Sequence, residues 1–150
     1  MRLFLSLCLF CLITTVNSSC DKHPSVGGAI KKTCIRNQCF AVELAQTEDE
    51  FIIGLQNRLA LELEKGMLFI FPKEEGHNFW MKETLIPLDI IWIDEHLKVV
   101  HIKYNAQPCF ISGCPVFSAP QASRYVLEIN GELAQKYHFM VGDVARFQYN

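Results

Sequence analysis

Residues 66–94 of this 150-residue chain constrain its fold more than any other stretch. They contain three apolar runs, Met67–Phe71, Phe79–Met81 and Ile90–Ile93, separated by two turn-rich breaks. Neither break is long enough for a helix, so the pattern predicts closely spaced strands with short connections. The stretch also carries polar side chains, which need hydrogen-bonding partners or a cavity in so apolar a setting. It therefore predicts both a β-rich core and a candidate site.

The N-terminus has the pattern of a secretory signal peptide. Arg2 is followed by the almost wholly apolar Leu3–Val16, which is too short to span a bilayer. Cys20 comes after two small residues, an arrangement similar to the lipobox of bacterial lipoproteins, in which this cysteine is acylated. Ordinary cleavage after Ser18 is the alternative.

These features predict the organisation and the location of the chain. We expect a signal peptide over residues 1–19, a membrane tether over 20–32 and one folded domain over 33–150. The protein would be exported to the periplasm or cell envelope and anchored to a bacterial membrane through lipid on Cys20. The net charge of −2 comes from interspersed acids and bases, so no basic patch points to nucleic acid.

Four cysteines lie in the expected domain, and they form two C-x4-C pairs, Cys34 with Cys39 and Cys109 with Cys114. Exported proteins keep disulfides, so two local bridges are expected, although cross-pairing between the pairs is also open. A four-cysteine zinc site would need tighter C-x2-C spacing and a reducing compartment. We therefore expect no metal and no cofactor.

The patterning predicts an α+β domain that is mostly β, a compact antiparallel sheet or barrel-like structure with two short helices. Thr47 and Glu50 fit a capping box for a helix that runs to about Asn57. Asn130 would cap the second helix, over Glu132–Tyr137.

The strand expected over 77–84 supplies the candidate binding face. By the two-residue period of a strand, Asn78, Trp80, Lys82 and Thr84 point to one side. An aromatic ring flanked by hydrogen-bond donors suits a sugar-like or anionic ligand. The alternative is that Trp80 belongs to the core and Lys82 extends over it to water. Arg58 and Asp89 complete the candidate ligand-binding set, either as a structural ion pair or with Arg58 as a carboxylate clamp.

Evidence for catalysis is thin, and no catalytic residue is assigned. The sequence has no phosphate-binding glycine loop, no nucleophile elbow and no HExxH motif. A hydrolase acting on an envelope glycan is an alternative, with two carboxylates drawn from Glu43, Glu83, Asp89 and Glu128. A structural or assembly lipoprotein is another. His77 is expected in a solvated turn, and His138 at the end of the last helix.

A set of motifs spread over residues 40–148 resembles the DUF192 (UPF0127, uncharacterised ACR) family. The motifs are Glu43-Leu44-Ala45, Thr47, Gly54-Leu55, Arg58, Gly66-Met67-Leu68-Phe69, Phe79-Trp80-Met81-Lys82, Thr84, Pro87-Leu88-Asp89, Pro108-Cys109, Cys114, Val126-Leu127-Glu128 and Gly142-Asp143. The resemblance implies a compact, mostly antiparallel β fold, often behind a signal peptide, and it implies no reaction.

The chain departs from the family pattern at three places. Glu83 stands where the family usually has Asn, which changes the charge of any shared ligand site there. Gln56-Asn57 replaces a Met-containing step, and Gly131-Glu132 replaces an Ala-Gly pair.

Overall fold

The protein was analysed as a computed structural model, which describes residues 29–150. Nine strands and two short helices make up the domain. In chain order they are β1 Ile30–Ile35, β2 Gln38–Ala45, α1 Glu48–Ile53, β3 Lys65–Glu75, β4 Asn78–Trp80, β5 Leu88–Ile93, β6 Val99–Ala106, β7 Val116–Ser118, β8 Ser123–Asn130, α2 Leu133–Lys136 and β9 Ala145–Tyr149. The expected signal peptide, the acylation of Cys20 and most of the expected tether lie outside the described residues.

Seven strands form one mixed sheet in the order β6-β5-β8-β3-β2-β1-β9, and β4 pairs with β7 in a small second sheet. The expected α+β class is confirmed. The expected antiparallel arrangement holds for the strand pairs with one exception: β2 and β3 run parallel, joined by the connection that carries α1. The large sheet is not a closed barrel: within the described chain its two ends meet at one isolated bridge, Lys98 to Val144.

The large sheet is buried on both faces, which explains why its strands read as continuous apolar runs. All six residues of β5 are buried. On one face Ile91, Leu127 and Phe139 belong to a cluster covered by α2. On the other face Phe69 and Trp92 belong to a second cluster, which β4 and the segment around α1 cover.

The first helix forms as its capping box predicts, and it ends earlier than expected. Thr47 Oγ1 accepts from Glu50 N–H, and the Glu50 carboxylate accepts from Thr47 N–H. The chain leaves the helix at Gly54, whose φ of 46° suits glycine. The helix therefore stops four residues short of Asn57.

The second helix is capped by a different residue from the one expected. Asp89, fully buried on β5, accepts hydrogen bonds from the backbone N–H groups of Glu132 and Ala134 at the start of α2. The Asn130 amide instead donates to the carbonyl groups of Leu61 and Glu62. The cap comes from a distant strand, so local spacing could not reveal it.

Both expected local disulfides are present, between Cys34 and Cys39 and between Cys109 and Cys114. The first joins directly opposite residues of β1 and β2. β1 itself begins at Ile30, inside the segment expected to be a tether. Its pairing with β2 and β9 draws those residues into the sheet.

Candidate functional site

Glu128 is a carboxylic acid in the middle of the large sheet. It lies on β8, directly opposite Met67 of β3 on one side and Ile90 of β5 on the other. Its side chain is 4 % exposed. Alternation along β8 places it on the same face as Val126, where it reaches the wall of a cavity rather than the packed core beneath α2.

Burial dominates the electrostatics of Glu128. Loss of hydration raises its pKa to about 8, and no group in residues 29–150 supplies an opposing charge or hydrogen bond that lowers it. An isolated buried carboxylate is costly, so the group holds its proton at neutral pH. A buried acid without a partner, facing a cavity, is a candidate functional group.

The cavity beside Glu128, called here the Glu128 cavity, has a volume of about 150 Å³. Its wall includes a continuous aromatic cluster. Phe51 packs against Phe71 with ring centroids 4.6 Å apart, and Phe69 meets Phe79 edge-on at 4.9 Å. A cavity of roughly this size can hold a benzene-sized molecule.

The mouth of the Glu128 cavity lies between α1 and β4. Ile52 and Ile53 on α1 line it from one side and Trp80 on β4 from the other, and all three side chains are exposed. Gly54 forms part of the rim near the carboxyl group, since a Cβ atom there would lie 4.0 Å from Glu128 Oε2. The cavity therefore opens towards solvent at a rim that includes these apolar side chains.

His77 lies in the β3–β4 connection, where a turn is expected, and its half-buried side chain is part of the cavity wall. Its ring stacks on Phe71, with centroids 3.5 Å apart and planes 12° from parallel. Burial lowers the pKa of His77, and a hydrogen bond with the Lys73 carbonyl and the negative charge of Glu75 oppose that shift. The turn position agrees with the expectation, whereas stacking on Phe71 leaves the ring only partly solvated.

The residues of the predicted binding face divide into two groups. Asn78 and Trp80 lie on β4 with Phe79 buried between them, as the alternation predicts, and both line the Glu128 cavity. Trp80 is 48 % exposed, so the core alternative for it is wrong. Thr84 is buried and also lines the cavity. Lys82 lies outside it, with Nζ 5.9 Å from the centroid of the Trp80 ring.

Arg58 and Asp89, the other two candidate residues, do not pair with each other. Arg58 donates from Nη1 and Nη2 to the two carboxylate oxygens of Glu43, at 2.5 and 2.7 Å. Asp89 accepts from the backbone N–H groups of Asn105, Glu132 and Ala134. Burial raises the pKa of Asp89, and these three hydrogen bonds act in the opposite direction. Both residues have structural roles here.

Two carboxylates do not meet at the Glu128 cavity. Glu128 is the one acid among its described lining residues. Glu43 is bound to Arg58, and exposed Glu83 lies beyond Trp80 near the Cys109–Cys114 loop. The geometry therefore offers no carboxylate pair of the kind that glycosidases use.

The sequence names Glu128 among four candidate acids, but one of its features distinguishes Glu128 from the other three. It is the one charged residue in the run Tyr125–Ile129, which is otherwise uncharged and mostly aliphatic. Such a residue on a central strand must be partnered or must face a cavity. The position of Glu128 between β3 and β5 depends on the order of the strands in the sheet, which cannot be predicted from the sequence alone.

Residues 29–150 lack two further features. They contain no cluster of three His, Cys, Asp or Glu side chains that would hold a metal ion. No helix in the same range has the length and apolarity needed to cross a bilayer.

Comparison with solved structures finds two similar proteins. A Novosphingobium aromaticivorans "protein of unknown function" shares 34 % identity and a TM-score of 0.73, over 83 % of this chain and 89 % of that one. A Sinorhizobium meliloti protein described as a "putative transcription regulator" shares 27 % identity and a TM-score of 0.73, over 81 % and 96 %. No curated protein matches the sequence.

The sequence profile of DUF192, described as "Uncharacterized ACR", matches residues 30–147. This range spans β1 to β9 and includes Glu128, Gly54 and Trp80. The chain belongs to the DUF192 family.

Proposed function

We propose that this is an exported, membrane-anchored envelope protein that binds a small ligand, without catalysis, in the Glu128 cavity and against Trp80. The observation that carries the proposal is a buried carboxyl group, without a partner in the described chain, that opens to solvent through a cavity. Burying this unpartnered carboxyl group destabilises the empty protein. A ligand that forms a hydrogen bond or ion pair with it would offset that cost.

The shape of the site supports binding of a small molecule. Glu128 and Thr84 place polar groups deep in the cavity, whereas Phe51, Phe69 and Phe79 supply apolar walls. Ligand pockets combine these features, apolar walls and polar groups that orient the ligand. Trp80 at the mouth provides a ring face for the part of the ligand that remains near solvent.

The proposed location is supported by the two disulfides. Both form between cysteines five positions apart, and disulfides persist in oxidising compartments outside the cytoplasm. Cys20, with lipid attached, would place the domain at a membrane surface. Fractionation of cells that express the full chain tests this: wild type should sediment with membranes, and Cys20→Ala should move to the soluble periplasmic fraction. A soluble wild-type protein would refute the anchor.

Native mass spectrometry tests the binding function. The full chain, purified from the envelope without reductant, should carry a small-molecule adduct that is reduced or lost in Trp80→Ala and Glu128→Gln. Glu83→Gln is the matched control, since it removes an exposed carboxyl group outside the cavity, and it should keep the adduct. A bare mass in all four proteins, with no adduct after incubation with cell extract, would refute binding.

Two observations favour other functions. The raised pKa of Glu128 suits a general acid, so a hydrolase that uses this single carboxyl group is one alternative. Phe110, Ile111 and Val116 are exposed beside Trp80, which favours an assembly role through an apolar contact. Turnover of a substrate by wild type and not by Glu128→Gln would establish the first. Loss of a partner in Phe110→Ser, with ligand binding retained, would establish the second.

A further inference from the structure

The described lining of the Glu128 cavity contains one acidic side chain, that of Glu128, and no basic Lys or Arg side chain. His77 is the other titratable group, and burial lowers its pKa and so favours its neutral form. An anionic ligand would meet no countercharge here, whereas a cationic ligand would meet a carboxyl group able to ionise beside it.

The walls also favour a cation. Phe51, Phe69, Phe71 and Phe79 form a connected set of rings in the cavity wall. Trp80 lies at the mouth, with Lys82 Nζ 5.9 Å from the centroid of its ring. Aromatic faces carry negative charge density and attract cations, most strongly where water is excluded, and aromatic side chains recur in sites that bind organic ammonium ions. Ring and carboxylate attractions act together on the same charge.

We propose that the Glu128 cavity binds a small organic ammonium ion, which pairs with the Glu128 carboxylate inside the aromatic wall. The inference rests on the proposed ligand-binding function and gives that function a ligand class. It differs from the sugar-like or anionic ligand that the sequence suggested. Lys82, the cation that pointed to an anion, lies outside the cavity, and a sugar carries no charge that could pair with the Glu128 carboxylate.

Binding of the cation is coupled to release of a proton. Glu128 holds a proton near neutral pH in the empty cavity, and the ammonium ion binds the ionised form, so one proton passes to solvent for each cation bound. The groups opposite Glu128 on the neighbouring strands are Met67 and Ile90, which do not titrate. His77, once protonated at lower pH, would repel the cation, so it too would weaken binding as pH falls.

Charged residues farther along the same cross-strand row are separated from Glu128 by those apolar side chains. Glu43, paired with Arg58, lies two strands away on one side, and Lys103 lies two strands away on the other. None of them shifts the pKa of Glu128. Glu128 is therefore the group whose ionisation controls binding.

Isothermal titration calorimetry of the full chain with tetramethylammonium and with ethylammonium tests the inference. Tetramethylammonium keeps its charge at every pH, so its affinity should be about 50-fold lower at pH 6 than at pH 8, because only ionised Glu128 binds it. At pH 7, titrations in buffers of different ionisation enthalpy should show release of nearly one proton for each ion bound. Glycerophosphocholine is a further arm: tighter binding than tetramethylammonium would identify a phospholipid headgroup as the source of the ammonium ion.

Three variants separate charge from shape. Glu128→Gln keeps the side-chain volume and should lose ammonium binding by at least tenfold, with no residual pH dependence. Trp80→Ala at the exposed mouth should weaken binding several-fold and retain proton release. Glu83→Gln should bind as wild type does, which controls for the change in net charge. Ammonium binding by Glu128→Gln equal to that of wild type would overturn the inference.

Acetate and methyl glucoside distinguish failure of the inference from failure of the proposed function. Amide NMR shifts at Gly54, Gly76 and Thr84 report whether a probe enters the cavity. Entry of either neutral or anionic probe, without entry of an ammonium ion, would leave ligand binding standing and overturn the ammonium assignment. No entry of any probe at pH 8 and millimolar concentration would overturn both.

Discussion

Gly54 and Glu128 meet at the rim of the cavity, where a Cβ atom on Gly54 would lie 4.0 Å from Glu128 Oε2 and 3.3 Å from Phe69 Cζ. One residue ends α1 and the other occupies the middle of β8. The absence of a side chain at Gly54 thus does two things: it permits the sharp exit from the helix and keeps the approach to the carboxyl group open.

Gly54→Ala should lower the free energy of unfolding by about 1–3 kcal/mol, because alanine at φ 46° is strained and its Cβ atom presses on Phe69. Urea denaturation followed by Trp fluorescence measures the change. Gly113→Ala is the matched control, since a Cβ atom there meets nothing within 4 Å, and it should change stability by less than about 0.5 kcal/mol. Equal stability of the two variants would show that the backbone at the end of α1 accommodates alanine without strain.

Glu128→Gln should change how stability depends on pH. The Glu128 carboxyl has an ordinary pKa of 4.5 in the unfolded chain and a pKa of about 8 in the folded protein. Between these values the folded state holds a proton that the unfolded state has lost. Wild-type stability therefore falls as pH rises, by about 1.4 kcal/mol for each unit from this group alone.

The variant lacks that contribution because glutamine does not titrate. We expect the difference in unfolding free energy between Glu128→Gln and wild type to be small near pH 4, to widen up to about pH 8 and then to become constant. Denaturation series at several pH values measure it. A difference that stays flat from pH 5 to 8 would mean that Glu128 is ionised and satisfied in the folded protein.

Asp89→Asn should destabilise the domain by about 2–4 kcal/mol, because one carboxylate accepts three backbone hydrogen bonds that an amide cannot all replace. Hydrogen exchange at the Ala134 amide should accelerate in the variant, because that N–H loses its partner at 2.6 Å. Asp94→Asn is the control: Asp94 accepts one exposed hydrogen bond, from Lys98 N–H, and its loss should cost less than about 1 kcal/mol. Unchanged exchange at Ala134 would contradict the capping role.

The Arg58–Glu43 pair should contribute little despite its bidentate geometry. Its side chains are 33 % and 52 % exposed, and a double-mutant cycle with Arg58→Gln and Glu43→Gln should give a coupling below about 1 kcal/mol at neutral pH. The hydrogen bonds from Arg58 lower the pKa of Glu43. The coupling should therefore be lost as pH falls through that lowered pKa, and it should shrink at high salt. A coupling of several kcal/mol, insensitive to salt, would contradict the exposed geometry.

Local patterns in the sequence determined most of the secondary structure. The apolar run Ile90–Ile93 predicts a strand buried on both faces, and β5 is one. Thr47 and Glu50 specify the start of α1, and the two C-x4-C spacings are compatible with the local disulfides that form. In each case the determining contacts lie within a few residues of one another, so short-range spacing contains the information.

Tertiary structure decided the site, because its contacts join residues far apart in the chain. The sequence identifies Trp80 and its neighbours on β4, but sheet order alone brings β8 beside β3 and β5 and so buries Glu128 near Gly54. Long-range contacts likewise place Asp89 at the start of α2, where it accepts the Ala134 N–H, and bring Arg58 to its ion pair with Glu43. Spacing along the chain fixes which face a side chain takes, whereas the order of the strands fixes which side chains share a cavity.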